Sequence, residues 1–459
     1  MTTTAAPQSA QPSPPGSGID PKDPRYWSSK KRSRYAWMLT FLLLFLMMLS
    51  WADKAVLGLA AVPLMQELNI TPEQFGLVAS AMFLTFGLAQ LVAAPLANKF
   101  RAKSILLVLC LIWSLSVMPV VVFATLPALW VSRLALGAGE GPLAPVLMHA
   151  VYKWFPSKKG ATPAAVASSG VTLGIVAFAP VLAWVIAQYG WRTAFIILAV
   201  VGVVWCAAWM ILGKEGPYTS LAVEREIEGA EIDTSIPGVS RVSEEKVPFF
   251  RSLLNPTWIF AVMASFFAYW TFTLAMSWGP AYFQNVMGFS GQQAGSLIAL
   301  PAAWGVVATV GLSALIQRMD QKGVPSRRSR GWTLGLAGAG AGAALLASTF
   351  VTSPVLGVAL MSLGFGTAPA MFAITYLIVG ELTTISQRGG HLNVANAVLT
   401  TGGVFAPAVG GFLIGGAATP ADGYRLAFQV TAVLLATFGV LALAFVNQQK
   451  QRLRLGIEA

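Results

Sequence analysis

The sequence predicts an all-α membrane protein of twelve transmembrane helices in two pseudo-symmetric six-helix halves. Three observations carry this. Hydrophobic residues make up 56% of the 459 and charged residues only 10%, whereas a soluble globular chain carries about 25% charged residues. Mean hydropathy is +0.68, and the apolar residues gather into runs long enough to cross ~30 Å of hydrocarbon. Short motifs also recur at matching places in the two halves.

Residues 1–35 read as a disordered tail. They are rich in proline (Pro7, Pro12, Pro14, Pro15), show no cleavable signal pattern, and close on Lys30-Lys31-Arg32-Ser33-Arg34. The first half, 36–213, holds spans near 36–66, 73–98, 103–124, 127–154, 158–188 and 190–213. Residues 214–252 break the pattern with eight acidic and five basic side chains, Glu215, Glu224, Lys214 and Arg225 among them, and are expected to form a hydrophilic linker. The second half, 253–446, holds spans near 254–287, 290–317, 327–350, 352–381, 387–416 and 422–446, followed by a tail over 447–459.

The basic residues set the orientation. With the N-terminus inside, 26 of the 30 Lys and Arg fall on the inner side, Lys54 and Arg133 lie within spans, and only Arg192 and Arg425 are left for outer loops. That asymmetry predicts a multi-pass protein of the cell or inner membrane with both termini cytoplasmic. It also accounts for a net charge of +12 without nucleic acid as a partner.

The halves echo one another. Gly190-Trp-Arg-Thr-Ala-Phe195 opens the sixth span and Gly423-Tyr-Arg-Leu-Ala-Phe428 the twelfth. Thr71 with Gln74, before the second span, and Ser290 with Gln293, before the eighth, have the spacing of a capping box. Offsets of 233 and 219 residues indicate a parallel duplication, an arrangement in which a substrate site lies between the halves and one half rocks against the other.

Arg133-Leu-Ala-Leu-Gly-Ala-Gly-Glu140-Gly-Pro-Leu-Ala-Pro145 sets an arginine and a glutamate seven residues apart in an apolar run. Seven residues is close to two helical turns, so both side chains share a face, about 10 Å apart along the axis. Ionised groups at that depth survive facing a bundle interior or a watery cavity. The plainer reading is a static ion pair that fixes helix packing. Asp53 and Lys54 add two further charges in the first span, and the four sum to zero when all are ionised.

These motifs resemble the major facilitator superfamily and, within it, the anion:cation symporter family, over about Trp37 to Val446. The carriers of the resemblance are Asp53-Lys54 with Ala60-Ala-Val-Pro63, the spacing of Arg133, Gly137, Gly139, Glu140 and Pro145, then Trp154-Phe-Pro156, Trp278-Gly-Pro-Ala-Tyr282, and Gly402-Gly403 with Pro407 and Gly411. The family usually has Arg after the first-span Asp; here Lys54 offers a point charge instead of a bidentate fork. Ala94, Asn98 and Lys99 stand where the superfamily loop carries a Gly, an acid and a base, which implies a weakened gating relay. Gln317 is placed at the matching acidic position after the eighth span.

The resemblance and the charges together point to a secondary active transporter importing an organic carboxylate, either a sugar acid or an aromatic or dicarboxylic acid, by proton symport. Asp53 and Glu140 are assigned as proton acceptors, and Lys54 and Arg133 as anion ligands. Protonating both acids leaves a cavity of charge +2 that favours an anion. Asn393, Asn396 and Thr400 in the eleventh span, Tyr376 in the tenth, and Ser169 with its neighbour Ser168 in the fifth are candidate pocket residues, though interhelical hydrogen bonding would also explain each. Tyr269, Trp270, Trp278, Tyr282 and Trp304 can stack on a ring or anchor at the interface. Asn98, Lys99 and Glu381 are candidate gate residues. No cofactor is expected beyond the coupling proton, although carboxylates also suit sodium, and a monomer is expected. Cys110 and Cys206 read as packing thiols, and His149 and His391 are too isolated for a metal site. No nucleophile–base set or nucleotide-binding glycine loop argues for an enzyme. The alternatives are a proton-driven exporter of amphipathic compounds on the same fold and a non-transporting membrane sensor.

Overall fold

The computed structural model describes residues 27–97, 100–156, 159–218, 253–383 and 387–455, together with Pro24 and Ile227. Among these the chain is helical throughout. Eleven helices are long and apolar enough to cross a membrane: α1 (Ser29–Leu59), α3 (Ala102–Phe123), α4 (Leu126–Tyr152), α5 (Ala161–Tyr189), α6 (Trp191–Leu212), α7 (Pro256–Asn285), α8 (Gly291–Gln321), α9 (Arg327–Ser348), α10 (Pro354–Glu381), α11 (Arg388–Gly415) and α12 (Pro420–Phe445). The twelfth, α2 (Pro72–Ala97), is 26 residues long and carries Glu73 as its one charged side chain. The start of α1 and the end of α12 therefore lie on the same side, called here the terminal side.

Local chemistry explains where the helices begin. Thr71 and Gln74 exchange hydrogen bonds between side chain and backbone (3.0 and 3.4 Å), as do Ser290 and Gln293 (3.0 and 3.3 Å), so both expected capping boxes form. Asn255 accepts from the Trp258 N–H at 2.8 Å and Thr125 from the Ala128 N–H at 3.4 Å. Each satisfies a donor that the first helical turn leaves unpaired.

Three boundaries differ from expectation. Helix α1 starts at Ser29, capped by Ser28, so 29–35 belong to the first helix and not to a tail. The cause is aromatic: Trp27 is buried and packs on Tyr35 (5.0 Å) and Trp154 (6.3 Å). The start of the expected linker is also docked, since Glu215 pairs with Lys153 at 3.0 Å and accepts from the Lys103 N–H at 2.8 Å. After α12 the chain forms a further helix, Gln448–Leu455, with Gln448 buried. Beyond residue 218 the linker, Ile227 apart, lies outside the described residues.

The two halves meet on the side opposite the termini, where small residues let backbones touch. An added Cβ on Gly76 of α2 would collide with the Pro407 carbonyl of α11, and one on Gly411 with the Pro72 carbonyl. Gly58 of α1 presses likewise on the Met276 carbonyl of α7, and Gly295 of α8 on Ala183 of α5. The Ala408 N–H donates to Ser80 Oγ at 3.0 Å across the same seam, and Phe75 meets Trp278 edge-on at 4.9 Å. Toward the termini, by contrast, Ser168, Ser169, Gly389 and Gly390 are exposed.

Candidate functional site

Several spans are interrupted at mid-length. Helix α4 breaks between Glu140 and Leu143, where Pro142 supplies no N–H for the ladder. Helix α10 breaks at Thr367 beside Pro369, and α11 at Thr401. Around these breaks lies a cavity of about 430 Å³ between the halves. Ala275, Met276 and Ile298 line its deep end, and Gln90, Asn393 and Asn396 line it toward the terminal side.

Of the residues expected to bind a substrate, Asn393, Asn396, Thr400 and Tyr376 line this cavity. The Tyr376 hydroxyl donates to Asn396 Oδ1 at 2.7 Å, fixing both side chains, and the Thr400 hydroxyl donates back to the Asn396 carbonyl at 2.8 Å. Ser169 is not in the lining. Its hydroxyl is turned to the Val166 carbonyl at 2.7 Å, and Val171 and Thr172 present that part of α5 instead.

The four charges stand behind the wall. Lys54 forms an ion pair with Glu140 and donates to Ser50 Oγ at 2.9 Å. Its ammonium lies 5.1 Å from the Trp51 ring and 5.4 Å from the Phe86 ring, and both rings line the cavity. Arg133, expected as an anion ligand, is 1% exposed and does not line the cavity. Its guanidinium faces the Phe195 ring at 5.2 Å, and none of its nitrogens has a hydrogen-bond partner among the described residues. Asp53 is buried within electrostatic range of Glu140, Arg133 and Lys54. The reason is geometric: adjacent residues on a helix point about 100° apart, so α1 can turn Trp51 to the cavity while Asp53 looks into the bundle of its own half.

Sequence reasoning missed most of the wall. Trp51, Phe86, Phe272, Phe365 and Phe372 line the cavity, yet in an apolar run an aromatic facing a cavity cannot be told from one facing lipid. Gln90 did carry a signal, as an amide within an apolar stretch of α2. Of the aromatic candidates, Tyr269 is in the lining. Trp270 donates to Thr431 (3.1 Å), Trp278 to the Pro407 carbonyl (3.0 Å) and Trp304 to Thr367 (3.3 Å), so these three pin helices together.

At the terminal ends of the second half, Arg330 joins Asp320 (2.9 Å) to Glu381. Ser329 donates to Asp320 at 2.7 Å and Ser326 to Glu381 at 2.6 Å. Glu381 thus ties α10 to the start of α9. The acid after the eighth span is Asp320, not the exposed Gln317, because Asp320 sits on the turn that faces Arg330. Asn98 and Lys99 lie outside the described residues. Cys110 and Cys206 are buried, with Cys110 Sγ donating to the Gly202 carbonyl at 3.6 Å.

Comparison with known proteins gives consistent results. The model of the Major Facilitator Superfamily matches residues 43–379. A probable sulfoacetate transporter of Cupriavidus necator is 28% identical over 91% of this chain and 95% of its own length. The hexuronate transporter of Bacillus subtilis is 26% identical over 83% of this chain and 88% of its own. Among solved structures, a bacterial homologue of the human lysosomal transporter Spinster, in an inward-facing and unoccupied conformation, superposes with a TM-score of 0.75 at 18% identity, covering 94% of this chain and 99% of that one.

Proposed function

The chain belongs to the major facilitator superfamily and groups with its acid and anion permeases, and from that premise we propose that it imports an organic carboxylate with protons by alternating access. The observation that carries this reading is the Lys54–Glu140 pair set directly behind two rings of the cavity wall. Ionised Glu140 holds the ammonium to itself. Protonated Glu140 is a neutral acid, and the freed ammonium then attracts an anion entering beside Trp51 and Phe86. Arg133 and Asp53 act as a compensating pair that keeps the first half near neutrality through the cycle. The C-terminal half supplies recognition through Tyr376, Asn393, Asn396 and Thr400. The ring-rich lining favours a carboxylate borne on an aromatic or otherwise planar body over a polyhydroxylated one.

The bias of basic residues supports cytoplasmic termini, which makes the present state one that opens to the cytoplasm. The protein works as a monomer and needs no cofactor beyond its coupling ion. The test is uptake of a carboxylate panel into proteoliposomes under an imposed pH gradient. Accumulation of at least one aromatic acid against its gradient is expected. Accumulation that follows a sodium gradient and ignores pH would overturn the proton assignment. A second reading, export of amphipathic compounds, is favoured by one observation: among the described residues no charged side chain lines the cavity. Proton-driven loss of a lipophilic cation in the same vesicles would select it.

A further inference from the structure

The internal duplication lets the two halves be compared position by position on the side opposite the termini. In the first half Arg192, just inside α6, is ion-paired with Glu67, which also accepts from Trp191 Nε1 at 2.7 Å. In the second half Arg425 holds the matching place in α12, but 219 positions on from Glu67 stands Val286. The carboxylate is gone, and a cavity of about 550 Å³ opens there. Arg425 and Val286 line it, with Tyr282, Ser348, Thr352 and Gln429.

Two donors face this space. Arg425 is half-exposed, and among the described residues its one acidic partner is Asp422 of its own helix, at 3.8 Å. Asp422 is itself occupied at the helix start, accepting from the Thr419 hydroxyl at 2.6 Å. Tyr282 is 1% exposed, and its hydroxyl has no hydrogen-bond partner among the described residues. The hydroxyl is therefore a free donor at the wall of the cavity, within electrostatic range of Arg425, and an acceptor placed there can engage both. Of the other polar groups, the Ser348 hydroxyl donates to the Leu345 carbonyl at 2.6 Å, Gln429 donates to Thr349 at 3.1 Å, and Thr352 is exposed.

We propose that this cavity is an anion-binding site separate from the central one, in which a carboxylate or phosphate group bridges Arg425 and Tyr282 as Glu67 bridges Arg192 and Trp191 in the other half. The bound group ties α7 to α12, just as Glu67, on the short helix Ala61–Leu68 that follows α1, ties that helix to α6. The chemistry suits the phosphate of an anionic lipid or a small soluble anion, and the cavity's place at the outer helix ends is reached by both. The proposal does not depend on which solute the central cavity carries.

The test measures thermal stability of the purified protein in phosphatidylcholine nanodiscs. Inorganic phosphate is titrated in one arm, and phosphatidylglycerol is mixed into the nanodisc in the other. Stabilisation in either arm, with apparent affinity weakened at least about tenfold in Arg425→Gln and in Tyr282→Phe, is expected for charge-assisted hydrogen bonds. A response to phosphate assigns a soluble anion, and a response to phosphatidylglycerol alone assigns a lipid headgroup. Val286→Glu restores an internal carboxylate, so it should melt higher without added anion and no longer respond to it. No stabilisation in either arm, or an undiminished response in Arg425→Gln and Val286→Glu, would overturn the site.

Discussion

Lys54 and Glu140 bridge α1 and α4 with 6% and 0% of their side chains exposed, and the Trp51 and Phe86 rings separate the pair from the central cavity. A pair so placed cannot both bind a solute and bind itself. Whatever neutralises Glu140 therefore decides whether Lys54 is available. Glu140→Gln makes that neutralisation permanent. Accumulation driven by a pH gradient should fall at least about tenfold, as for loss of a positioned proton carrier, while exchange of labelled for unlabelled anion persists. Exchange should also lose its pH dependence. Undiminished accumulation would remove Glu140 from the coupling step.

Arg133 is a different case, because it touches no part of the cavity. Removing a buried cation leaves its acidic neighbours uncompensated, a change that costs about 3–5 kcal/mol when a buried pair is broken. Arg133→Met should lower the melting temperature and, by distorting the α1–α4 packing, abolish transport. Asp53→Asn added to Arg133→Met should recover most of the lost stability, since no unpaired charge then remains. Failure of the double variant to recover would show that the guanidinium matters through packing on Phe195 and not through charge.

The contrast between these two residues shows what the sequence can tell. Four ionisable residues in apolar spans are visible in any reading, and so are the caps at Thr71 and Ser290 and the duplicated Gly-aromatic-Arg motif. Their rotation about the helix axis is not visible. Whether Lys54 or Asp53 looks to the cavity depends on packing against α4, α5 and α7, and neighbouring positions differ by about 100°. Ser169 turns away from the cavity for the same reason, and Thr172 lines it instead. The aromatic wall is illegible for another reason, since phenylalanine is equally at home against lipid and against a void. The start of α1 is illegible in the sequence because the packing of Trp27 on Trp154 spans more than a hundred residues of sequence.

Glu67 provides a pH dependence outside the spans. Hydrogen bonds from Arg192 and then Trp191 hold its carboxyl below the ordinary value of 4.5. A carboxyl depressed in the folded state adds stability above its unfolded value, and that stability is lost as pH falls through the folded value. Glu67 is 44% exposed at its side chain, so solvent screening limits the tie to less than about 1 kcal/mol. Melting measured from neutral to acid pH should show a small acid-induced fall in the wild type that Glu67→Gln lacks. Parallel curves for the two proteins would show that the pair contributes nothing.

Closure on the side opposite the termini depends on Gly76 and Gly411, each lying against a backbone carbonyl of the other half. Backbone cannot yield as a flexible side chain can, so Gly411→Val must push α2 and α11 apart. The far side then stays open and the cycle stops. Ser80 reports on this seam, since it is 5% exposed and accepts from the Ala408 N–H. The native thiols are buried, so labelling of Ser80→Cys by a membrane-impermeant reagent has little background. In the Gly411→Val background that labelling should speed up at least about tenfold, in line with a population shift of roughly 1.4 kcal/mol, while transport is lost. Equal labelling rates with transport intact would show that the two helices do not need this close approach to seal the cavity.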